Sequence, residues 1–206
     1  MRVRLLLAVP FVIGLAILPA NVQAATQVYL MKGGFGGVFS TGLDDLAQQL
    51  EQRGIRASVA SYGAYDSLAT QAIALEKRGG GPIVIIGHSW GADNAFAMAR
   101  LMAAAGARVA LIVAFGPTHD LTAPANVARV INYYQGGTRV LRGRGFRGTI
   151  ANVDLDSVPG IDHFNVEKSR RLHARVIAEI RALSERKRPR RPIRHRHKPH
   201  GRRSIH

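Results

Sequence analysis

Cysteine is missing altogether from the 206 residues, which excludes a disulfide framework, thiolate metal sites and a cysteine nucleophile. Aromatic residues are scarce at 6%, and acids are few: 13 Asp and Glu stand against 29 Lys and Arg, a formal net charge of +16. Long apolar runs are also absent beyond the first twenty residues. What is present still suffices for a core, because 47% hydrophobic residues and 22 Gly exclude wholesale disorder. The length suits one domain, or two small ones at most.

The positive charge is unevenly spread. Residues Glu185 to His206 hold ten cations and one acid, so +9 of the +16 sits in this terminus, and the body from Ala25 to Ser184 is only mildly basic. With Ile193 and Ile205 as its apolar side chains, this tail cannot bury enough to offset the entropy of ordering and is expected to be disordered. A solvated terminus is the plainer reading; otherwise its charge would attract anionic lipid or an anionic envelope polymer, with nucleic acid a less favoured partner given the export signal described next. His195, His197, His200 and His206 read as an incidental cluster, and no metal is expected.

At the other end, Arg2 and Arg4 precede an apolar stretch from Leu5 to Ala20, and Val22-Gln23-Ala24 supplies small residues at signal-peptidase positions. Sixteen residues rise about 24 Å as a helix, short of the roughly 30 Å hydrocarbon core. A cleaved signal and a secreted or periplasmic product are expected, with an N-terminal membrane anchor as the alternative.

Between these ends, strands and helices alternate. Short apolar runs at Gln27–Met31, Ile55–Tyr62, Ile83–Ile86, Val109–Phe115, Val130–Tyr134 and Thr149–Val153 read as strands. Helical patterns follow Ser40 or Thr41, Asp66 or Ser67, and Ala92, each of the polar pairs being a candidate cap. Leu172, Val176, Ile177, Ile180 and Leu183 form the stripe of a closing helix. Four β-branched residues in a row at Ile83–Ile86 suit a strand buried on both faces. The fold expected is α/β: a mostly parallel sheet with helices on both faces, in three layers.

Gly87-His88-Ser89-Trp90-Gly91 is G-x-S-x-G, set directly between the Ile83–Ile86 run and the Ala-rich helix. A nucleophile there stands on a tight strand-to-helix turn, and the flanking glycines let chains approach. An ordinary turn with a capping Ser is the plainer reading. With the glycine-rich Gly33–Gly37 loop and the late Asp162-His163-Phe164, the sequence resembles the α/β-hydrolase superfamily in its small lipase- and thioesterase-like form, over Gln27 to Leu183.

That resemblance implies a reduced fold with little room for a cap domain, and an acyl-transfer enzyme with Ser, Asp and His in that chain order. Ser89 would be the nucleophile. His163, between the last strand and the closing helix, would be its base. His88 should point elsewhere, His119 comes too early, and His173 should be solvated or half-buried on the closing helix. The acid is open: Asp120 at the end of the Val109–Phe115 strand is preferred, with Asp154 or Asp156 next, or no true acid. Asp120 could equally cap a turn or a helix at Leu121–Val127. Backbone N–H groups of Trp90, Gly34 and Phe35 would form the oxyanion hole. A dinucleotide cradle is disfavoured, because Phe39 stands where a third glycine is needed and no G-K-[ST] occurs, so no cofactor is expected. The expected activity is hydrolysis of a small ester or thioester. The rival expectation is a non-catalytic envelope-binding protein on a degenerate scaffold.

Overall fold

β-Branched and other apolar side chains pointing both ways from one strand require cover on both faces, and the architecture supplies it. The computed structural model describes residues 25–186. Its main strands are β1 (Gln27–Lys32), β2 (Arg56–Ser61), β3 (Ile83–His88), β4 (Leu111–Phe115), β6 (Arg129–Tyr134) and β8 (Thr149–Asp154). They form one sheet in the order β2-β1-β3-β4-β6-β8, and every pairing is parallel. Short β5 (Leu121–Ala123) and β7 (Val140–Arg142) pair apart from it.

Alternate residues of the central strands feed two cores. Val28, Leu30, Val84, Ile86, Val113 and Phe115 face α1 (Gly42–Glu51) and α4 (Arg170–Arg186). Tyr29, Met31, Ile83, Ile85, Ile112 and Ala114 face α2 (Tyr65–Lys77) and α3 (Trp90–Ala104). Full burial of such a side chain stabilises by roughly 1.5–3 kcal/mol, so β3, buried at all six positions, is the anchor of the sheet. The result is a three-layer αβα fold. The chain leaves β1 toward β2 on one side and β3 toward β4 on the other. Their carboxyl ends therefore flank a topological switch point, where crevices form in open parallel sheets.

Several local expectations change. Position Thr41 caps α1 without a side-chain hydrogen bond, and Ala64 rather than Asp66 or Ser67 precedes α2. Leu121–Ala123 is a strand, not a helix, because its pairing with Val140–Arg142 satisfies its backbone. The helix α4 runs through Glu185 and Arg186, two residues into the segment assigned to the tail. The targeting segment and the rest of the tail lie outside the described residues, among which no helix is long and apolar enough to cross a membrane.

The loop before α4 is fastened to α1. A Cβ on Gly42 would stand 2.3 Å from the Glu167 carbonyl oxygen, so only glycine permits this approach. His173, expected to be solvated or half-buried, is 2% exposed: its Nε2–H donates to the Glu167 carbonyl at 2.5 Å and its Nδ1 accepts from Gln49 Nε2 at 3.1 Å. Burial lowers its pKa and keeps it neutral. The Glu167 side chain is fully buried, and neither carboxyl oxygen makes a hydrogen bond of good geometry. Burial pushes its pKa up to about 7, offset in part by nearby backbone N–H groups and Lys168.

This buried acid makes stability fall with rising pH. Its stabilising contribution is complete below the unfolded-chain value of 4.5 and is lost as pH rises through about 7. Glu167→Gln should therefore raise stability relative to the parent by on the order of 2 kcal/mol at about pH 8.5, and change it little at about pH 4.5. Thermal melts of both proteins across that range check the sign and the window.

Candidate active site

A strand that passes directly into a helix has room for a single residue at the bend, and here that residue is Ser89. Its backbone sits at φ 55 and ψ −126, a positive-φ conformation that L residues avoid. The surrounding glycines explain why it is held there. A Cβ on Gly87 would lie 2.1 Å from the Gly91 carbonyl oxygen, and one on Gly91 would lie 2.1 Å from that of Met31. The Ser89 N–H donates to the Phe115 carbonyl at 3.0 Å, tying the bend to β4. The helix begins at Trp90, earlier than the Ala-rich pattern alone indicates.

His163 reaches this serine from the far end of the chain. Its Nε2 lies 3.1 Å from Ser89 Oγ. Asp162 folds the loop beneath it: its carboxylate accepts from the Phe164 N–H, and its carbonyl accepts from the N–H groups of Asn165 and Val166. Gln135 Nε2 donates to the Ile161 carbonyl at 2.7 Å, so the loop is also tied to the end of β6. The ring stands against Gly116, where an added Cβ would come within 3.0 Å of Nδ1.

Asp120 is not joined to His163. Its carboxylate is exposed and accepts from the Arg139 N–H at 2.7 Å, closing the end of the β5–β7 pair. Asp154 accepts from the Tyr134 hydroxyl and the Asp156 N–H, and Asp156 accepts from the Gly136 N–H. None of the three candidate acids therefore contacts the imidazole. Each is claimed by a backbone donor, a role invisible in the order of residues. His119 is exposed, 3.8 Å from Asp93.

The glycine-rich loop packs on the serine. A Cβ on Gly33 would stand 3.0 Å from Ser89 Cβ, and one on Gly34 would strike the Trp90 ring at 2.6 Å. Phe35, Gly36 and Gly37 follow with φ of 53, 64 and 77. Within the loop the Gly37 N–H turns back to the Gly34 carbonyl, and the Gly33 N–H is given to Ser40 Oγ. The N–H groups of Gly34, Phe35 and Trp90 have no hydrogen-bond acceptor among the described residues. Phe35, Phe39, Trp90 and Phe164 stand exposed around the pair, Phe35 stacked on Trp90 with ring centroids 6.1 Å apart.

His88 and Ser40 were missed as parts of this assembly. Ser40 Oγ lies 2.8 Å from His88 Nδ1, and His88 Nε2 lies 2.7 Å from the His163 carbonyl oxygen. Burial lowers the pKa of His88 to about 4, with smaller contributions from its charged neighbours. Its position in G-H-S-x-G was the available signal, but its partners lie 48 and 75 residues away. No group of three or more His, Asp or Glu able to hold a metal occurs among the described residues. A surface hollow of about 960 Å³, lined in part by Gly80, Pro82, Arg108 and Arg147, opens at the amino end of the sheet, away from Ser89.

No protein-family model and no curated protein matches the chain. Among solved structures it is similar to a type II thioesterase from the yersiniabactin NRPS/PKS biosynthetic pathway, at 12% identity and a TM-score of 0.49, over 80% of this chain and 96% of that one. It is similar to a type II thioesterase from the borrelidin biosynthetic cluster, at 12% identity and a TM-score of 0.48, over 79% and 95%. A third, described as a hydrolase of the alpha/beta superfamily from Xanthomonas campestris pv. campestris, has 16% identity and a TM-score of 0.39, over 78% and 96%.

The contact between Gly116 and His163 gives a direct test of this geometry. Gly116 has φ 53, and its Cβ-free face is filled by the imidazole. Gly116→Ala should push the ring away by a few tenths of an ångström and strain the backbone at positive φ, slowing covalent labelling of Ser89 by a fluorophosphonate by about tenfold. Circular dichroism should still report a folded chain.

Proposed function

We propose that the protein is an exported serine hydrolase that cleaves a carboxylic ester or thioester through an acyl-enzyme. The observation that carries this reading is the 3.1 Å approach of His163 Nε2 to Ser89 Oγ on the strained strand-to-helix bend. A free serine hydroxyl is hardly ionised at neutral pH, and a base at this distance is what activates it.

In the first step His163 Nε2 takes the Ser89 proton as Oγ attacks the acyl carbonyl. The N–H groups of Trp90 and of Gly34 or Phe35 receive the developing oxyanion, each such donor being worth about 10²–10³ in rate. The imidazolium then protonates the leaving alcohol or thiol. Water attacks the acyl-enzyme by the same route in reverse, releasing the acid. The exposed aromatic rim suits an apolar acyl group. Export through Met1–Ala24 and docking of the basic tail on an anionic membrane or envelope polymer belong to the same proposal.

The unaccompanied imidazole favours a second reading, a non-catalytic binding protein on a hydrolase scaffold. Turnover of graded acyl esters and thioesters separates the two. Ser89→Ala and His163→Ala should each lower turnover by about 10³-fold or more, whereas Asp120→Asn should stay within about threefold of the parent. Parent-like hydrolysis by either of the first two variants contradicts the assignment.

Residues 187–206 carry nine Lys or Arg and no acid. Ending the chain after Arg186 should leave turnover of a soluble ester unchanged and remove most binding to anionic vesicles. Binding by the full chain should weaken as salt shortens the Debye length below about 10 Å. Sedimentation with vesicles at graded salt measures both.

A further inference from the structure

We propose that His88 is the positioning residue of the Ser89–His163 pair, holding the backbone of the base from beneath while Ser40 clamps it to the glycine-rich loop. The inference rests on the serine-hydrolase reading and adds to it the device that sets the base in place.

The hydrogen bonds run in one direction. The Gly33 N–H donates to Ser40 Oγ at 2.9 Å, and the Ser40 hydroxyl is then free to donate to His88 Nδ1 at 2.8 Å. With Nδ1 accepting, the proton of the neutral ring is on Nε2. It donates to the His163 carbonyl oxygen at 2.7 Å, an atom that can only accept. Each group is used in the one role that its neighbours leave it.

The network is sealed from water. Ser40 is 1% exposed and His88 2% exposed, and a buried donor left without its acceptor costs about 1–3 kcal/mol. The charged or titratable groups that bear on His88 are His163 and Lys168, and both disfavour a second positive charge. The neutral ring, and with it the direction of the chain, therefore persists at neutral pH.

Its two ends matter to the chemistry. One holds the peptide of His163, whose imidazole has no carboxylate among the described residues to orient it. The other holds the N–H of Gly33, next to the Gly34 and Phe35 N–H groups that would receive the oxyanion. A ring that served only to fill the core would have no need of a polar link to both loops.

The test uses the full-length protein and its His88→Leu, His88→Gln and Ser40→Ala variants. Steady-state hydrolysis of a short-chain p-nitrophenyl ester gives kcat and KM. Amide exchange by NMR reads Gly33, Asn165 and Val166, and thermal melts read the fold. His88→Leu should lower kcat about thirtyfold with KM within about threefold, because the base is displaced while the substrate rim is untouched. Exchange at Gly33 and Val166 should accelerate together. His88→Gln, which keeps a donor for the His163 carbonyl, should recover much of kcat. Ser40→Ala should fall between them, and it carries the test if His88→Leu does not fold.

A parent-like kcat in folded His88→Leu, with only the melting temperature reduced, overturns the positioning role and leaves the hydrolase reading standing. So does a glutamine variant no better than leucine. A parent protein that neither labels nor turns over overturns the hydrolase reading and this role together.

Discussion

The structure depends on the contact of backbone with backbone at the carboxyl end of β3. Gly91 lies so close to the Met31 carbonyl, and Gly87 so close to Gly91, that no side chain fits at either position. Two strands and a helix are thereby brought to one point, and Ser89 is left with the conformation that remains, at positive φ. Such a conformation costs on the order of 1–3 kcal/mol and persists only where the surroundings over-determine it. Here the burial of β3 on both faces supplies that constraint. The hydroxyl is presented at the switch point of the sheet, beside the first N–H of α3, because the helix starts without an intervening loop.

The base is supported in a different way. His163 belongs to a loop shaped by Asp162, anchored through Gln135, Glu167 and His173, and held beneath by His88. A carboxylate on the imidazole would fix its tautomer and stabilise its positive charge. No carboxylate stands there among the described residues, so on the proposed reading catalysis would draw on the oxyanion donors and on accurate placement. On the proposed reading the rate would be sensitive to backbone position, and exposed aromatic side chains of Phe35, Phe39, Trp90 and Phe164 surround Ser89.

Much of this was legible because the signals were local. The Ile83–Ile86 run, the glycines around Ser89 and the stripe of the closing helix lie within a few residues of the elements that they specify, and all appear where expected. His163, from its place between the last strand and that helix, comes within 3.1 Å of Ser89 Oγ. The misreadings involve partners far apart in sequence. Asp120 looks like a catalytic acid because it follows β4, but the amide that claims it arrives with β7, nineteen residues later. Ser40 looks like a helix cap, yet its hydroxyl is bound to a histidine 48 residues away. His173 looks solvated or half-buried by periodicity, and is buried because Gly42 lets the preceding loop close over it.

The measurement that bears most directly on this account is the site and stoichiometry of fluorophosphonate labelling, read by mass spectrometry of the intact protein and its peptides. The account predicts one adduct per chain, on the peptide containing Ser89, and none when His163 is replaced by alanine. An unlabelled native chain, or an adduct on another serine, would contradict it.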